Sequence, residues 1–342
     1  MHKMKATWTK IAQHDSLKRS SHCMSVTGES AYVFGGELKP RQPRDNVMHQ
    51  VKLAGKGDTQ GIENTDAVRQ LQCSGDLPSP RVGSASCTLH GKIYFFSGRG
   101  GAAMAPIEEA GSLWEYDSDT NTWASMKPCN GHHPPARSYH TMTSDGGDTI
   151  YLHAGCPEKG RLSDLWEFKM SMREWKELVQ APDPPRGGPS IAFANGRLYR
   201  MNGFDGKTEQ GGAIDVYDPA QNSWDSIDFQ PDGKQGPGAR SVAALLPVSM
   251  AGDISLVTLF GESDPSSLGH QGAGKMLSDV WAYSLGDKKW SQVAVEGTDL
   301  PAGRGWFDAD VVQANGRPDI VVAGGLGESN DRLDDAWLLS FV

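Results

Sequence analysis

The segment 259–270, LFGESDPSSLGH, brings two acidic side chains and one imidazole into a short stretch of chain. Glu262, Asp264 and His270 are residue types that bind divalent metals, and one imidazole with one or two carboxylates suits non-haem Fe(II), although Zn or Mn can use the same set. Glycine, proline and serine exclude a helix here, so helical spacing cannot align the side chains. The alternative is a polar turn that Asp264 and Pro265 open, with His270 exposed.

Two arginines in other loop-like segments could hold an anion. Arg99 follows FFSG, and Arg161 lies in CPEKGRLSDLW. Two guanidiniums at one cavity would bind a sulfate, phosphate or carboxylate in bidentate fashion. The alternative is solvated surface charge, which is common for arginines in loops.

The composition limits the class of protein. The chain has 342 residues with 41 Gly and 20 Pro, which suits many short strands joined by turns. A net charge of −9 argues against a nucleic-acid partner, and no apolar run reaches the length of a membrane span. Five cysteines without a CxxC motif or a signal peptide favour reduced thiols. We therefore expect a soluble, cytoplasmic protein.

A loose repeat runs through the chain. Six apolar-aromatic runs, such as AYVFGGE, IYFFSGRG and IVVAGGLGE, end in glycine at positions separated by 62, 57, 48, 58 and 64 residues. The runs are followed in most units by a paired aromatic signal, such as LWEYDSDTNTW and IDVYDPAQNSW, which reads as strand, turn and strand. Four strands per unit at this period predict propeller blades. The closing glycines are Gly36, Gly98, Gly155, Gly203, Gly261 and Gly325.

These units resemble the kelch repeat, whose mark is a glycine pair after a hydrophobic strand and a later Tyr and Trp. Trp337 lacks a later tryptophan partner, and Trp8 supplies one, since it precedes Arg19 by the same 11 residues as Trp175 precedes Arg186. We expect an all-β, six-bladed kelch-type propeller, a single domain over 1–342, whose final blade is closed by the N-terminal strand. Closure removes the open sheet edge.

Antiparallel order within each blade places every segment after a glycine pair on one face, together with the links between blades. The long loops 99–112, 156–163 and 262–278 therefore share that face, where function is expected to concentrate. An arginine also opens each blade. Six copies favour a structural role, in which each arginine binds neighbouring carbonyls or pairs with an acid between blades. The six are Arg19, Arg81, Arg137, Arg186, Arg240 and Arg304.

Within the kelch class, FSGRG, ARSYH, GCPEKGRLSDL, FGESDPSSLGHQGAG and GRGWFDA resemble the specifier proteins of glucosinolate breakdown, the epithiospecifier, nitrile-specifier and thiocyanate-forming proteins. The resemblance implies a ferrous iron site formed by Glu, Asp and His at four-residue steps. Glu262 and His270 match its outer positions. Ser266 occupies the middle position, and Asp264 lies two residues earlier, so either could fill it.

The same resemblance implies that Arg99 and Arg161 hold the sulfate of a thiohydroximate-O-sulfate and that Trp306 lies at the pocket wall. Iron would bind the thiolate sulfur, and loss of sulfate would be directed towards a nitrile, epithionitrile or thiocyanate. The function would be lyase-like, with a small anionic organosulfur substrate supplied by an upstream thioglucosidase. Two alternatives remain: a non-catalytic kelch module that recognises proteins, and an iron-binding relative with another substrate.

Overall fold

Six antiparallel sheets follow one another around a central channel, and the first strands of neighbouring sheets contact each other in a closed ring. The structure is a computed structural model that describes residues 4–53, 67–250, 252–314 and 317–342; the side chains of His270 and Ala314 are outside the described part. The predicted six-bladed, all-β propeller is confirmed. No helix in the described ranges is long and apolar enough to cross a bilayer.

Each blade contains four antiparallel strands. Blades 1 to 3 are formed by Ser20–Thr27, Ser30–Lys39, His49–Lys52 and Val68–Gln70; by Ala85–Leu89, Lys92–Phe96, Leu113–Asp117 and Thr122–Met126; and by Thr141–Ser144, Thr149–Gly155, Leu162–Lys169 and Glu174–Leu178. Blades 4 to 6 are formed by Ser190–Ala194, Arg197–Met201, Ala213–Asp218 and Ser223–Asp228; by Ala244–Met250, Asp253–Leu259, Val280–Ser284 and Lys289–Gln292; and by Asp308–Ala314, Arg317–Ala323, Asp335–Phe341 and Lys5–Gln13.

Short elements complete the sheets and the loop face. Ser74–Gly75 and Ala294–Glu296 extend blades 2 and 6 in parallel, and Gln42–Pro43 pairs with the end of Ser30–Lys39. Two small hairpins lie in loops, and two single 3-10 turns occur. These elements are Arg99–Gly100 with Ala105–Pro106, Glu262–Ser263 with Lys275–Met276, Asp15–Leu17 and Gly269–Gln271.

The N-terminal strand closes blade 6 as predicted. Trp8 lies opposite Leu339 in an antiparallel ladder, and its ring stacks on Phe260 of blade 5 with centroids 5.6 Å apart. Trp337 is 2% exposed in the neighbouring strand. Because the first and last parts of the chain share one sheet, the ring of blades has no open edge.

In blades 2 and 4, an asparagine in the left-handed region forms the turn between the third and fourth strands. Asn121 and Asn222 have φ values of 54° and 48°, in the left-handed region that Asn tolerates better than most residues. Each side-chain oxygen accepts a hydrogen bond of 2.8 Å from a tyrosine hydroxyl, Tyr116 or Tyr217. The predicted strand–turn–strand reading is confirmed in both units.

The six arginines that open the blades are buried, with exposed fractions of 0 to 7%. Each donates from Nη1 to the main-chain carbonyl of the residue directly before the closing glycine of its own blade, at 2.6 to 3.0 Å. In five blades Nη2 also pairs with a carboxylate. The expected bonds to neighbouring carbonyls are present, but the expected acid between blades was wrong, because each acid lies at or near the start of the third strand of the same blade. The pairs are Arg19–Asp45, Arg81–Glu109, Arg137–Asp164, Arg240–Asp279 and Arg304–Asp335.

Two residues after each arginine, the main chain forms a ring around the channel axis. Every N–H in this ring donates to the carbonyl of the equivalent residue in the preceding blade, at 2.7 to 3.3 Å. All six φ values lie between 46° and 63°. The ring consists of Ser21, Gly83, Tyr139, Gly188, Val242 and Trp306. A positive φ is unusual for a β-branched residue such as Val242, so the closed ring imposes this conformation.

Candidate functional site

Two adjacent cavities of about 360 and 140 Å³ lie on the loop face, next to the main-chain ring. They share Tyr139, Cys156 and Trp306 as lining residues. The rings of Tyr139 and Trp306 meet edge to face with centroids 5.2 Å apart. Trp306 and Tyr139 therefore lie in the wall that the two cavities share.

Six equivalent positions surround this region, each directly after the closing glycine. Each pairs through a main-chain bridge with the residue that follows the blade-opening arginine, as the predicted loop face requires. Sequence reasoning singled out only two of the six, although counting one residue past each closing glycine identifies them all. The positions hold Glu37, Arg99, Cys156, Phe204, Glu262 and Leu326.

The acidic side of the pocket is built from blade 5. Glu262 is 6% exposed, lines the larger cavity and accepts a 2.7 Å hydrogen bond from the Gly274 N–H. Burial raises its pKa above the ordinary value, and hydrogen bonds from Gly274 and from the Trp306 side chain partly offset the rise. Glu262 therefore presents a desolvated carboxylate to the cavity.

The rest of the acidic loop is less enclosed. Asp264 is exposed, with a φ of 49° at the turn. Ser266 lines the larger cavity, and its Oγ accepts a 3.1 Å hydrogen bond from the Leu268 N–H. The His270 side chain lies outside the described part of the chain, although its backbone belongs to the 3-10 turn Gly269–Gln271. The structure thus brings Glu262 and Ser266 to one cavity and keeps Asp264 beside it.

Glu209, from the blade 4 loop, is a further carboxylate that sequence reasoning missed. Its Oε1 accepts a 3.1 Å hydrogen bond from Ser241 Oγ, and the Ser241 main chain bridges to Glu262. Burial, with smaller contributions from the charges of Glu262 and Asp264, raises the pKa of Glu209 to about 7. Only the fold places it there, since 53 residues separate it from Glu262.

These carboxylates suit a cation in one respect. Within the described ranges none of Glu209, Glu262 and Asp264 forms an ion pair with a basic side chain, so their mutual repulsion is not compensated. A divalent cation would relieve that repulsion. No three Cys, Asp, Glu or His side chains in the described part are already arranged as a metal-binding group.

Two arginines from the loops of blades 2 and 3 also line these cavities. Arg99 lines the smaller cavity, and its guanidinium donates to Ser138 Oγ and to the carbonyls of Met104 and Pro157 at 2.9 to 3.1 Å. These bonds occupy all three nitrogens, so Arg99 is held rigidly.

Arg161 differs from Arg99 because its guanidinium is less engaged. It lines the larger cavity with its Cζ 5.0 Å from the Phe204 ring centroid, and nothing in the described residues accepts a hydrogen bond from its buried Nε. Both arginines act on Cys156, where their charges lower the thiol pKa against the larger effect of burial, which raises it. The two guanidiniums thus flank the wall between the cavities.

A model of the KLHDC2/KLHL20/DRC7 Kelch-repeats domain matches residues 21–261. The chain belongs to the kelch-repeat family. The kelch propeller is also similar over its full length to the N-(sulfonatooxy)prop-2-enimidothioate sulfolyase of Thlaspi arvense, with 25% identity over 98% of this chain and 97% of the relative.

Two other similarities concern the propeller itself. The leucine-zipper-like transcriptional regulator 1 homolog of Drosophila melanogaster is 22% identical over 98% of this chain, which spans only 32% of that protein. The solved structure of YjhT matches with a TM-score of 0.69 and 14% identity over 95% of this chain and 97% of that one. The latter similarity supports the fold alone.

Proposed function

We propose that the kelch propeller binds a thiohydroximate-O-sulfate and, with Fe(II), directs its breakdown to nitrile-type products. The observation that carries this proposal is that side chains of opposite charge, Glu262 and Arg161, line the same larger cavity, with Arg99 in the cavity next to it. Within the described residues, Glu209 and Glu262 of blades 4 and 5 have no cationic ion-pair partner, and the two guanidiniums come from blades 2 and 3. The full-length similarity to a sulfolyase whose substrate has a sulfonatooxy group and an imidothioate group supports the pairing.

Glu262 would hold the metal, with Asp264 or Ser266 in the middle position and His270 in the third. The carboxylate of Glu262 suits a metal ion, because it is desolvated and has no cationic partner in the described part. A ferrous ion there would supply a Lewis-acidic binding place for the thiolate sulfur. Zn or Mn fits the same oxygen and nitrogen donors.

Arg161 would bind the sulfate group. Arg161 lines the larger cavity, its Nε has no acceptor among the described residues, and planar guanidiniums match oxyanions in bidentate fashion. Arg99, held by three hydrogen bonds, would contribute mainly its charge and shape the wall. Tyr139 and Trp306 present rings to the organic part of the substrate and exclude water from it.

The proposed reaction is an elimination that needs no further reactant. The N–O bond breaks, and its electron pair leaves with sulfate. The electron pair of the C–S bond forms the third C–N bond of the nitrile, and sulfur is released at oxidation state zero. Both negative charges of the substrate depart on the sulfate, next to the arginines that would stabilise them.

Product analysis tests the proposal. A thioglucosidase releases the substrate from its glucoside, anaerobically and with Fe(II), with and without the propeller. We expect the share of nitrile-type products to rise with propeller concentration at the expense of the spontaneous isothiocyanate. Arg161→Ala should lose the effect, whereas Lys159→Ala, an exposed cation of the same loop, should keep it.

The other outcomes assign the remaining possibilities. An unchanged product spectrum with Fe(II) bound would contradict this substrate and leave an iron-binding relative that acts on another compound. An unchanged spectrum without Fe(II) binding would contradict the whole proposal and leave a kelch recognition module.

A further inference from the structure

Blade 4 departs from the other five at its buried arginine. Arg186 donates from Nη1 to the Asn202 carbonyl at 3.0 Å and from Nε to the Pro184 carbonyl at 3.2 Å, as the other five arginines do in their blades. In those five, Nη2 pairs with a carboxylate at 2.8 to 3.3 Å. Arg186 has no carboxylate at ion-pair distance in the described part of the chain.

The missing carboxylate can be traced to one residue. Asp164 lies four residues before Phe168, and Asp279 lies four before Tyr283; both aromatic rings pair with the tryptophan of the next strand. The same count back from Tyr217, which pairs with Trp224, leads to Ala213. Ala213 is half-buried and Arg186 is 7% exposed, so neither side chain is fully sealed from solvent.

A second guanidinium adds to the positive charge. Arg200 donates to the Pro184 carbonyl at 3.3 Å, so its guanidinium converges with that of Arg186 on one oxygen. Arg200 pairs with Asp215 at 2.8 Å, and the other Asp215 oxygen accepts from Ser226 Oγ at 2.6 Å. Asp215, with both oxygens occupied, is therefore the one carboxylate at ion-pair distance from these two buried cations in the described residues, while the charge of Asp183 acts on Arg200 from farther away.

The electrostatics agree with this geometry. Burial lowers the pKa of Arg186 to about 9, and the charge of Arg200 contributes; Asp215 and Asp205 oppose the shift. Asp205 is already occupied, because its Oδ1 accepts from the N–H groups of Lys207 and Thr208. The cation pair is thus compensated only in part by this chain.

We propose that the notch formed by Arg186 and Ala213 in blade 4 is a binding site for a small free carboxylate, which takes the place of the aspartate or glutamate found in the other blades. The ligand would accept from Arg186 Nη2 in the geometry that Asp164 and Asp279 show. The site is separate from the pocket, although Gly187 and Gly188, the next two residues, line the larger cavity. Its occupancy would therefore stabilise one pocket wall.

Thermal unfolding in sodium acetate and in sodium chloride at equal ionic strength tests the site. We expect acetate to raise the Tm of the wild type in a saturable manner. Ala213→Asp should have the higher Tm in chloride alone and no acetate response. Ala213→Asn, which fills the notch without a charge, should lose the response without the gain in Tm.

Asp164→Ala serves as the matched variant, because it creates the same vacancy in blade 3. It should lose stability in chloride and recover part of it in acetate. A wild type without an acetate-specific shift, beside an Asp164→Ala protein that has one, would overturn the proposal by showing that Arg200 and Asp215 already close the notch. An equal acetate shift in wild type and Ala213→Asp would also overturn it.

Discussion

Two sets of equivalent positions lie close together in each blade and differ in what they hold. The position that opens each blade is an arginine in all six blades. Each of these arginines is buried and donates a hydrogen bond to the equivalent main-chain carbonyl of its own blade. The position after each closing glycine holds five different residue types at its six occurrences, on the same backbone geometry. The repeated set stabilises the blades, and the varied set forms the walls of the pocket.

The largest expected effect comes from breaking the repeated set. Arg137→Ala should lower the free energy of unfolding by about 3–5 kcal/mol, because it removes a fully buried guanidinium and leaves Asp164 without its partner. Urea unfolding measures the change. Arg186→Ala is the matched control: it leaves no carboxylate unpaired and should cost clearly less. Equal losses in the two variants would contradict the role given to the ion pair.

The next effect separates the two pocket arginines. Arg99→Ala should destabilise the protein by about 2 kcal/mol, since three hydrogen bonds of a charged group are lost. Arg161→Ala should change stability by less than about 0.5 kcal/mol and weaken substrate binding by about 10- to 100-fold. Paired urea unfolding and steady-state assays distinguish the two. A reversed order, with Arg161 the structural residue, would refute the assignment.

Much of this comparison could be predicted from the sequence. The spacing of the glycines, the paired aromatics and the position of Trp8 predicted six blades and their closure, because kelch repeats encode local strand order. The shared loop face could be predicted because each blade has four antiparallel strands, which places the loop after the second strand and the link to the next blade on the same side. The role of Glu209, the ring through Val242 and the charge left over at Arg186 could not be predicted, because they depend on contacts between segments far apart in the chain.

A smaller effect concerns the middle metal-binding position. Ser266→Asp should raise Fe(II) affinity by about 10-fold, since it adds a carboxylate where the four-residue step requires one. Ser267→Asp is the matched control, because Ser267 also lines the larger cavity but lies one residue away from the position that the four-residue spacing requires. Anaerobic titration measures both affinities. A gain in the control and none in Ser266→Asp would indicate that the four-residue step does not apply to this loop.

The smallest effect is a pH dependence on the acidic side. The carboxyl of Glu209 has a pKa of about 7 when folded, above its ordinary value of 4.5, so the folded state binds the proton more tightly. This contribution to stability is complete below pH 4.5 and is lost as pH rises through 7. Glu209→Gln should therefore flatten the decline in unfolding free energy over that window.

Two acidic residues of the central channel also lose their contribution to stability in this pH range, which limits the change expected from Glu209→Gln. Burial raises the pKa of Asp308 to about 7 and that of Asp310 to about 6. The Glu209→Gln profile should accordingly keep part of the wild-type slope. An unchanged slope would show that Glu209 does not titrate in this window.

The central claim is that the varied positions form an iron-binding pocket, and Fe(II) binding tests it most directly. The measurement is an anaerobic Fe(II) titration of wild type, Glu262→Ala and His270→Ala, with the exposed Glu158→Ala as control. We predict stoichiometric binding in wild type and control and its loss in the two variants. No specific binding, or binding that both variants retain, would contradict the account.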